Sequence, residues 1–195
     1  MKKYELTAEF IEKWGKKLFR IKALISFGSV EAGELGGYVE KEDNLAQDGD
    51  AWVCDDAWVY GNARVYDDAW VYGDARVYGN AEVYGDARVY GNARVCDDAW
   101  VYGNAWVCGN ADYLLIGRIG SRFSFTTFFK NKDKGITVSC GCFLGTIAEF
   151  RAKVTDTHGN NKHAKMYNLA ADMAELQILG EEHFDKLNTN KSEPF

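Results

Sequence analysis

Ten consecutive six-residue units run without insertion from Ala51 to Asn110: AWVCDD, AWVYGN, ARVYDD, AWVYGD, ARVYGN, AEVYGD, ARVYGN, ARVCDD, AWVYGN and AWVCGN. A period this short leaves room for one short strand and one corner per unit, and none for a helix. Within each unit Ala and Val alternate with larger residues, the period-two pattern of a strand with one buried face. Ala51, Val53 and their equivalents are expected to point inward, with Trp52 and Cys54 outward. The Gly-Asn, Gly-Asp or Asp-Asp pair that closes each unit supplies residues tolerant of turn and left-handed backbone. Upstream, VEKEDN (39–44) and LAQDGD (45–50) read as two degenerate units that keep the corner pair in register. Downstream, ADYLLI (111–116) keeps the Ala and then turns apolar, as a terminal unit must to close a stacked core against water.

An aliphatic residue followed four positions later by a small one recurs from Val53 and Ala57 through Val107 and Ala111. In this the stretch resembles the hexapeptide-repeat, left-handed β-helix family. That resemblance implies three hexads per turn, so that equivalent positions recur every 18 residues. The expected fold is mainly β: a left-handed parallel β-helix of about four coils, with an N-terminal β cap and a small C-terminal α+β module. The corresponding divisions are 1–38 for the cap, 39–116 for the β-helix and 117–195 for a β-hairpin with two helices.

With 18 residues per turn the outward side chains sort onto three faces. The first carries Trp52, Trp70, Arg88 and Trp106; the second Trp58, Arg76 and Arg94; the third Arg64, Glu82 and Trp100 beside Tyr66, Tyr84 and Tyr102. Large aromatic surfaces with Arg suit interfaces. Stacked rings also stabilise sheets by roughly 0.2–1 kcal/mol per pair, so purely structural ladders remain an alternative. The acidic pairs Asp55-Asp56, Asp67-Asp68 and Asp97-Asp98 read first as turn residues, and second as a possible cation surface.

The ends are different in kind. EFIEK-WGK-KLFRIKAL reads as a hairpin turning at Gly15, serving as an apolar lid over the first coil. SRFSFTTFF and GITVSCGCF read as two strands joined by KNKDKG. Thr146 is placed to cap a helix ending near Gly159, a second helix is expected over about 161–179, and the last dozen residues read as frayed.

Net charge is -6, which argues against a nucleic-acid-coating or anionic-membrane protein. The opening MKKYELTAEF lacks the apolar run of a secretory signal. An odd count of five Cys points to a reducing cytoplasm rather than a disulfide scaffold. Enzymes on hexapeptide helices are acyltransferases, which use a coil histidine as base, and carbonic anhydrases, which hold zinc through three histidines. Here the histidines are His158, His163 and His183, all outside the repeat. Catalysis, metal and cofactor are therefore not expected. His158 and His163 read as helix-end residues, and Cys140 and Cys142 as two thiols on the same face of one strand.

The RIKAL-to-GELGGYVEKEDNL lead-in, the GNA-x-VYG repeats and the GCFLGTIAEFRAKVTDTHG tail resemble proteins of bacterial phages and prophages. That resemblance implies a host-cytoplasm setting and, by analogy, blocking of a host protein such as a defence factor. The leading expectation is a non-enzymatic binding protein that forms a homo-oligomer, a trimer being favoured, through an aromatic face, and that engages or blocks a host protein through a second aromatic face or its C-terminal module. Its binding residues would be Trp52, Trp70, Arg88, Trp106, Tyr66, Tyr84, Tyr102, Arg76, Arg94 and Arg64. The alternatives are a sequestrant holding a small nucleotide-like ligand in inter-subunit clefts, a virion or scaffold component, and last an acyltransferase.

Overall fold

The computed structural model describes residues 2–182; His183 and the last dozen residues lie outside them. The chain divides into two compact units, Met1–Asn110 and Ala111–Phe195.

The first unit opens with β1 (Tyr4–Lys13) and β2 (Lys16–Ala23), an antiparallel hairpin that turns at Trp14 and Gly15, and continues to β3 (Leu35–Val39). Ten two-residue strands follow at intervals of one hexad. They are β4 (Trp52–Val53), β5 (Trp58–Val59), β6 (Arg64–Val65), β7 (Trp70–Val71), β8 (Arg76–Val77), β9 (Glu82–Val83), β10 (Arg88–Val89), β11 (Arg94–Val95), β12 (Trp100–Val101) and β13 (Trp106–Val107). They pair in parallel as three stacks, β4-β7-β10-β13, β5-β8-β11 and β6-β9-β12. Trp52 pairs with Trp70, Trp58 with Arg76 and Arg64 with Glu82, so the turn is 18 residues and the architecture is a parallel β-solenoid of about four turns.

Two layers of interaction hold the stack. Backbone amides reach the coil ahead, as from Trp58 to Ala75 O at 2.9 Å and from Asn62 to Gly79 O at 2.8 Å. Inside, every repeat Ala and Val is fully buried. Each buried Val contributes roughly 1.5–3 kcal/mol, well above the stacking increment of an outward ring pair, so the dry interior column is the main source of stability. The acidic corners have a local explanation. Asp55, Asp67 and Asp97 adopt φ of 55°, 57° and 59°, taking the left-handed place that Gly fills in other hexads. The Asp55 carboxylate also accepts the amide of Gly73 at 3.0 Å.

The first coil departs from the expected register. Val39 pairs with Val59 and Leu45 bridges to Val65, so both sit two residues further from their partners than Val53 from Val71. Leu45 thus takes the inward Val place rather than opening a hexad. The surplus chain between Leu45 and Val53 bulges around Lys3, whose Nζ donates to the carbonyls of Asp48, Gly49 and Ala51 at 3.0–3.2 Å. Burial drives that ammonium down to about 8, despite three nearby Asp residues. Asn44, also fully buried, donates to Gly61 O at 3.2 Å and Ala63 O at 2.8 Å. The N-terminal hairpin extends a solenoid face: β2 pairs with β3, and β3 with β5, giving a six-stranded sheet.

The second unit is an antiparallel sheet of β14 (Tyr113–Ile119), β15 (Ser124–Lys130), β16 (Ile136–Cys140) and β17 (Phe143–Thr146), followed by α1 (Ile147–His158) and α2 (Lys162–Leu179). The stretch 113–116, read from sequence as the end of a last hexad, instead pairs antiparallel with β15; it lacks a corner pair to turn another coil. The segment read as one strand through Cys140 and Cys142 breaks at Gly141, whose φ is 60°. Cys140 therefore ends β16 half-buried, while Cys142 is exposed in the turn. Thr146 caps α1 and exchanges hydrogen bonds with Glu149, and Asn161 caps α2. Phe128, Val138, Phe150, Tyr167, Ala171 and Ala174 form the core of this unit.

Candidate functional site

The expected binding residues occupy three separate faces, and the structure does not gather them into one pocket. On the first face the outermost member is lost. Trp52 is 0% exposed, lying edge-on to Tyr4 at 6.3 Å and Phe27 at 5.3 Å, so it belongs to the core and not to a binding surface. The sequence pattern did not reveal this, because the residues that cover it lie outside the repeat. Trp70 is half-buried and Trp106 is 46% exposed. Between them, Arg88 donates to Asp68 O at 2.8 Å and to the carbonyls of Asp86 and Ala87 at 3.2 Å. Its guanidinium sits 5.9 Å from the Trp70 ring. Tyr72 and Tyr90 stack alongside at 5.1 Å.

On the second face Trp58 is flanked by Trp14, their centroids 5.9 Å apart, and Arg76 lies over it at 4.2 Å. Arg94 is exposed and stands directly opposite Arg76 in the parallel register. Like charges in that relation repel. The third face is the most ordered. Tyr66, Tyr84 and Tyr102 stack at 4.7 and 4.6 Å with rings within 6° of parallel. Tyr66 donates to Glu82 at 2.8 Å, Arg64 is exposed beside it, and Trp100 is 42% exposed. Burial, reinforced in Tyr66 by Glu82 and in Tyr84 by Tyr102, raises the pKa of Tyr66 and of Tyr84 above the usual phenol value.

One surface escaped the sequence reading. On α2, Met166, Leu169, Met173 and Leu176 are all exposed, Leu169 by 63% and Met173 by 56%. Their spacing of three, four and three residues places them along one helical stripe. That spacing was visible, but a helix stripe is ordinarily core, and only packing shows that α2 already buries a different stripe through Tyr167, Ala171 and Ala174.

Among the described residues no group of three or more His, Cys, Asp or Glu side chains is placed to hold a metal ion, and no helix is long and apolar enough to cross a membrane. His158 ends α1 and His163 lies in the first turn of α2, their rings 5.7 Å apart.

The family model for the YdcK beta-solenoid repeat matches residues 57–73, 69–85, 75–91, 81–96, 87–103 and 93–109. These overlapping matches lie on the regular coils, and with the observed stacking they identify the central part of the chain as β-solenoid repeats. No curated protein matches the chain.

Proposed function

We propose that this chain is a non-enzymatic binding protein of phage type, acting in the host cytoplasm. In this reading the solenoid is a rigid body that self-associates, as a trimer, through the Trp70–Arg88–Trp106 face, and the C-terminal unit engages and blocks a host protein. The observation that carries the binding role is the exposed α2 stripe of Met166, Leu169, Met173 and Leu176. Soluble surfaces seldom leave such a contiguous apolar strip without a partner. Flexible Met beside Leu suits a surface that adapts to a binding groove. The exposure of Trp106 in register with Trp70 and Arg88 supports the self-associating face.

A second reading, sequestration of a small nucleotide-like anion between subunits, is favoured by the opposed Arg76 and Arg94, whose repulsion an anion would relieve. Native mass spectrometry of the full chain separates these. A trimer that dissociates on Trp70→Ala with Trp106→Ala, at unchanged circular dichroism, supports the first reading. Retention of a bacterial protein on immobilised wild type, lost in Leu169→Asp with Met173→Asp, supports the host-binding role. A wild-type monomer that retains no protein would sink both parts, and would leave the ladders as scaffold. Added mass removed by Arg94→Ala would favour the sequestrant.

A further inference from the structure

The C-terminal unit contains a cavity of about 400 Å³ between the Gly120–Phe123 turn, the Gly141–Cys142 turn and one face of α1, within the usual size range of small-ligand sites. One wall is aromatic. Tyr167 stacks on His158 at 5.8 Å with rings 28° apart, and Phe143 meets Phe150 at 5.6 Å. The rim carries Arg122 and Lys153, with the hydroxyls of Ser121, Ser124 and Thr157.

The charge balance of this cavity runs against that of the chain. The net charge is -6, yet among the described residues no Asp or Glu lines the cavity. Neither Arg122 nor Lys153 has an ion-pair partner among the described residues. Two cations on the lining of one cavity, with no acidic side chain among the described lining residues, give it a positive potential that attracts an anion.

The backbone contributes to the shape. A Cβ added at Gly141 would lie 3.5 Å from the Arg122 Nη1, an ordinary contact distance that places the guanidinium beside this turn. At Gly120, with φ of 75°, an added Cβ would collide with the Tyr167 hydroxyl, so the absence of a side chain there lets the ring complete the wall.

We propose that this cavity binds a phosphate monoester carried on a planar ring, the chemistry of a nucleoside monophosphate. The ring lies against Phe143, His158 and Tyr167, and the phosphate is held by Arg122 and Lys153. A dianionic phosphate matches two cations and three hydroxyl donors better than a carboxylate does. The site lies wholly within the C-terminal unit and is independent of solenoid self-association.

The test uses adenosine monophosphate and the full chain. All six Trp residues lie in the first unit, so tryptophan fluorescence is a poor reporter; the exposed Cys142 at the cavity is a better one. Adenosine monophosphate is expected to slow alkylation of Cys142 while leaving the exposed Cys108 of the solenoid unchanged. Calorimetry should show at least roughly tenfold weaker binding for Arg122→Ala and for Lys153→Ala; both side chains are exposed, and melting curves check that the variants fold. Adenosine and inorganic phosphate should each protect far less. No protection of Cys142 at roughly millimolar ligand, undiminished binding by the double variant, or equal protection by adenosine would each overturn the proposal.

Discussion

Arg76 lies over the ring of Trp58 on the neighbouring coil, its guanidinium carbon 4.2 Å from the ring centroid. The two residues are paired in the parallel register of β5 and β8. A pair of this kind can be a binding element or a brace within the wall. The geometry here is that of a brace, because the same indole is also covered by Trp14 and Lys13. A double-mutant cycle with Trp58→Ala and Arg76→Ala is expected to show a coupling of about 0.5–1 kcal/mol in urea unfolding. Zero coupling would mean that Arg76 is free to serve a ligand.

Alkaline pH should loosen the solenoid. Burial, followed by neighbouring Tyr102, Glu82 and Asp67, pushes Tyr84 up to about 12, and burial with a hydrogen bond to Cys96 does the same to Tyr78. An unfolded phenol titrates near 10. Because the folded state holds these protons more tightly, their contribution is fully present below pH about 10 and is lost as pH rises towards about 12. Phenolate absorbance followed alongside unfolding should show delayed ionisation of several tyrosines. Uniform titration near 10 would contradict the stacked arrangement.

Asn44 is expected to be the most sensitive polar position of the first coil. Its side chain donates to two carbonyls of the next coil and accepts the amide of Lys41 at 3.0 Å. Asn44→Ala leaves those groups unsatisfied and should cost about 2–3 kcal/mol. Asn44→Asp should cost more, because a buried carboxylate would face two carbonyl oxygens. Chemical denaturation ranks the two variants, and the reverse order would show that the site is open to water.

In the C-terminal unit, Arg151 joins Asp172 and Glu175, each at 2.8 Å. Glu175 is buried, so Arg151→Ala strands a carboxylate and should destabilise by about 3–5 kcal/mol. Adding Glu175→Leu should recover most of the loss, since it removes the unpaired charge. Thermal melting of both variants decides the matter; no recovery would place the cost elsewhere.

The extent to which the sequence is legible follows the physics of each region. In the repeat, six-residue periodicity dictates an inward Ala and Val and a corner, and no remote residue alters that inward set; the pairings of Trp70 with Arg88 and of Tyr66 with Tyr84 follow from counting. Thr146 with Glu149, and Asn161 ahead of α2, are equally local, because a cap is satisfied within one turn of chain.

The tertiary structure alone decided the fate of residues whose neighbours are distant in sequence. Trp52 has the same hexad context as Trp70, yet Tyr4 and Phe27 bury it. Leu45 moves into the inward place because the first coil must accommodate two more residues around Lys3. Whether the stripe at Leu169 and Met173 is core or surface depends on which side of α2 meets the sheet, and a cavity flanked by Arg122 and Lys153 exists only once two turns and a helix converge. Periodicity specifies what a residue does along the chain, whereas burial is a property of the packed assembly and has no local signature.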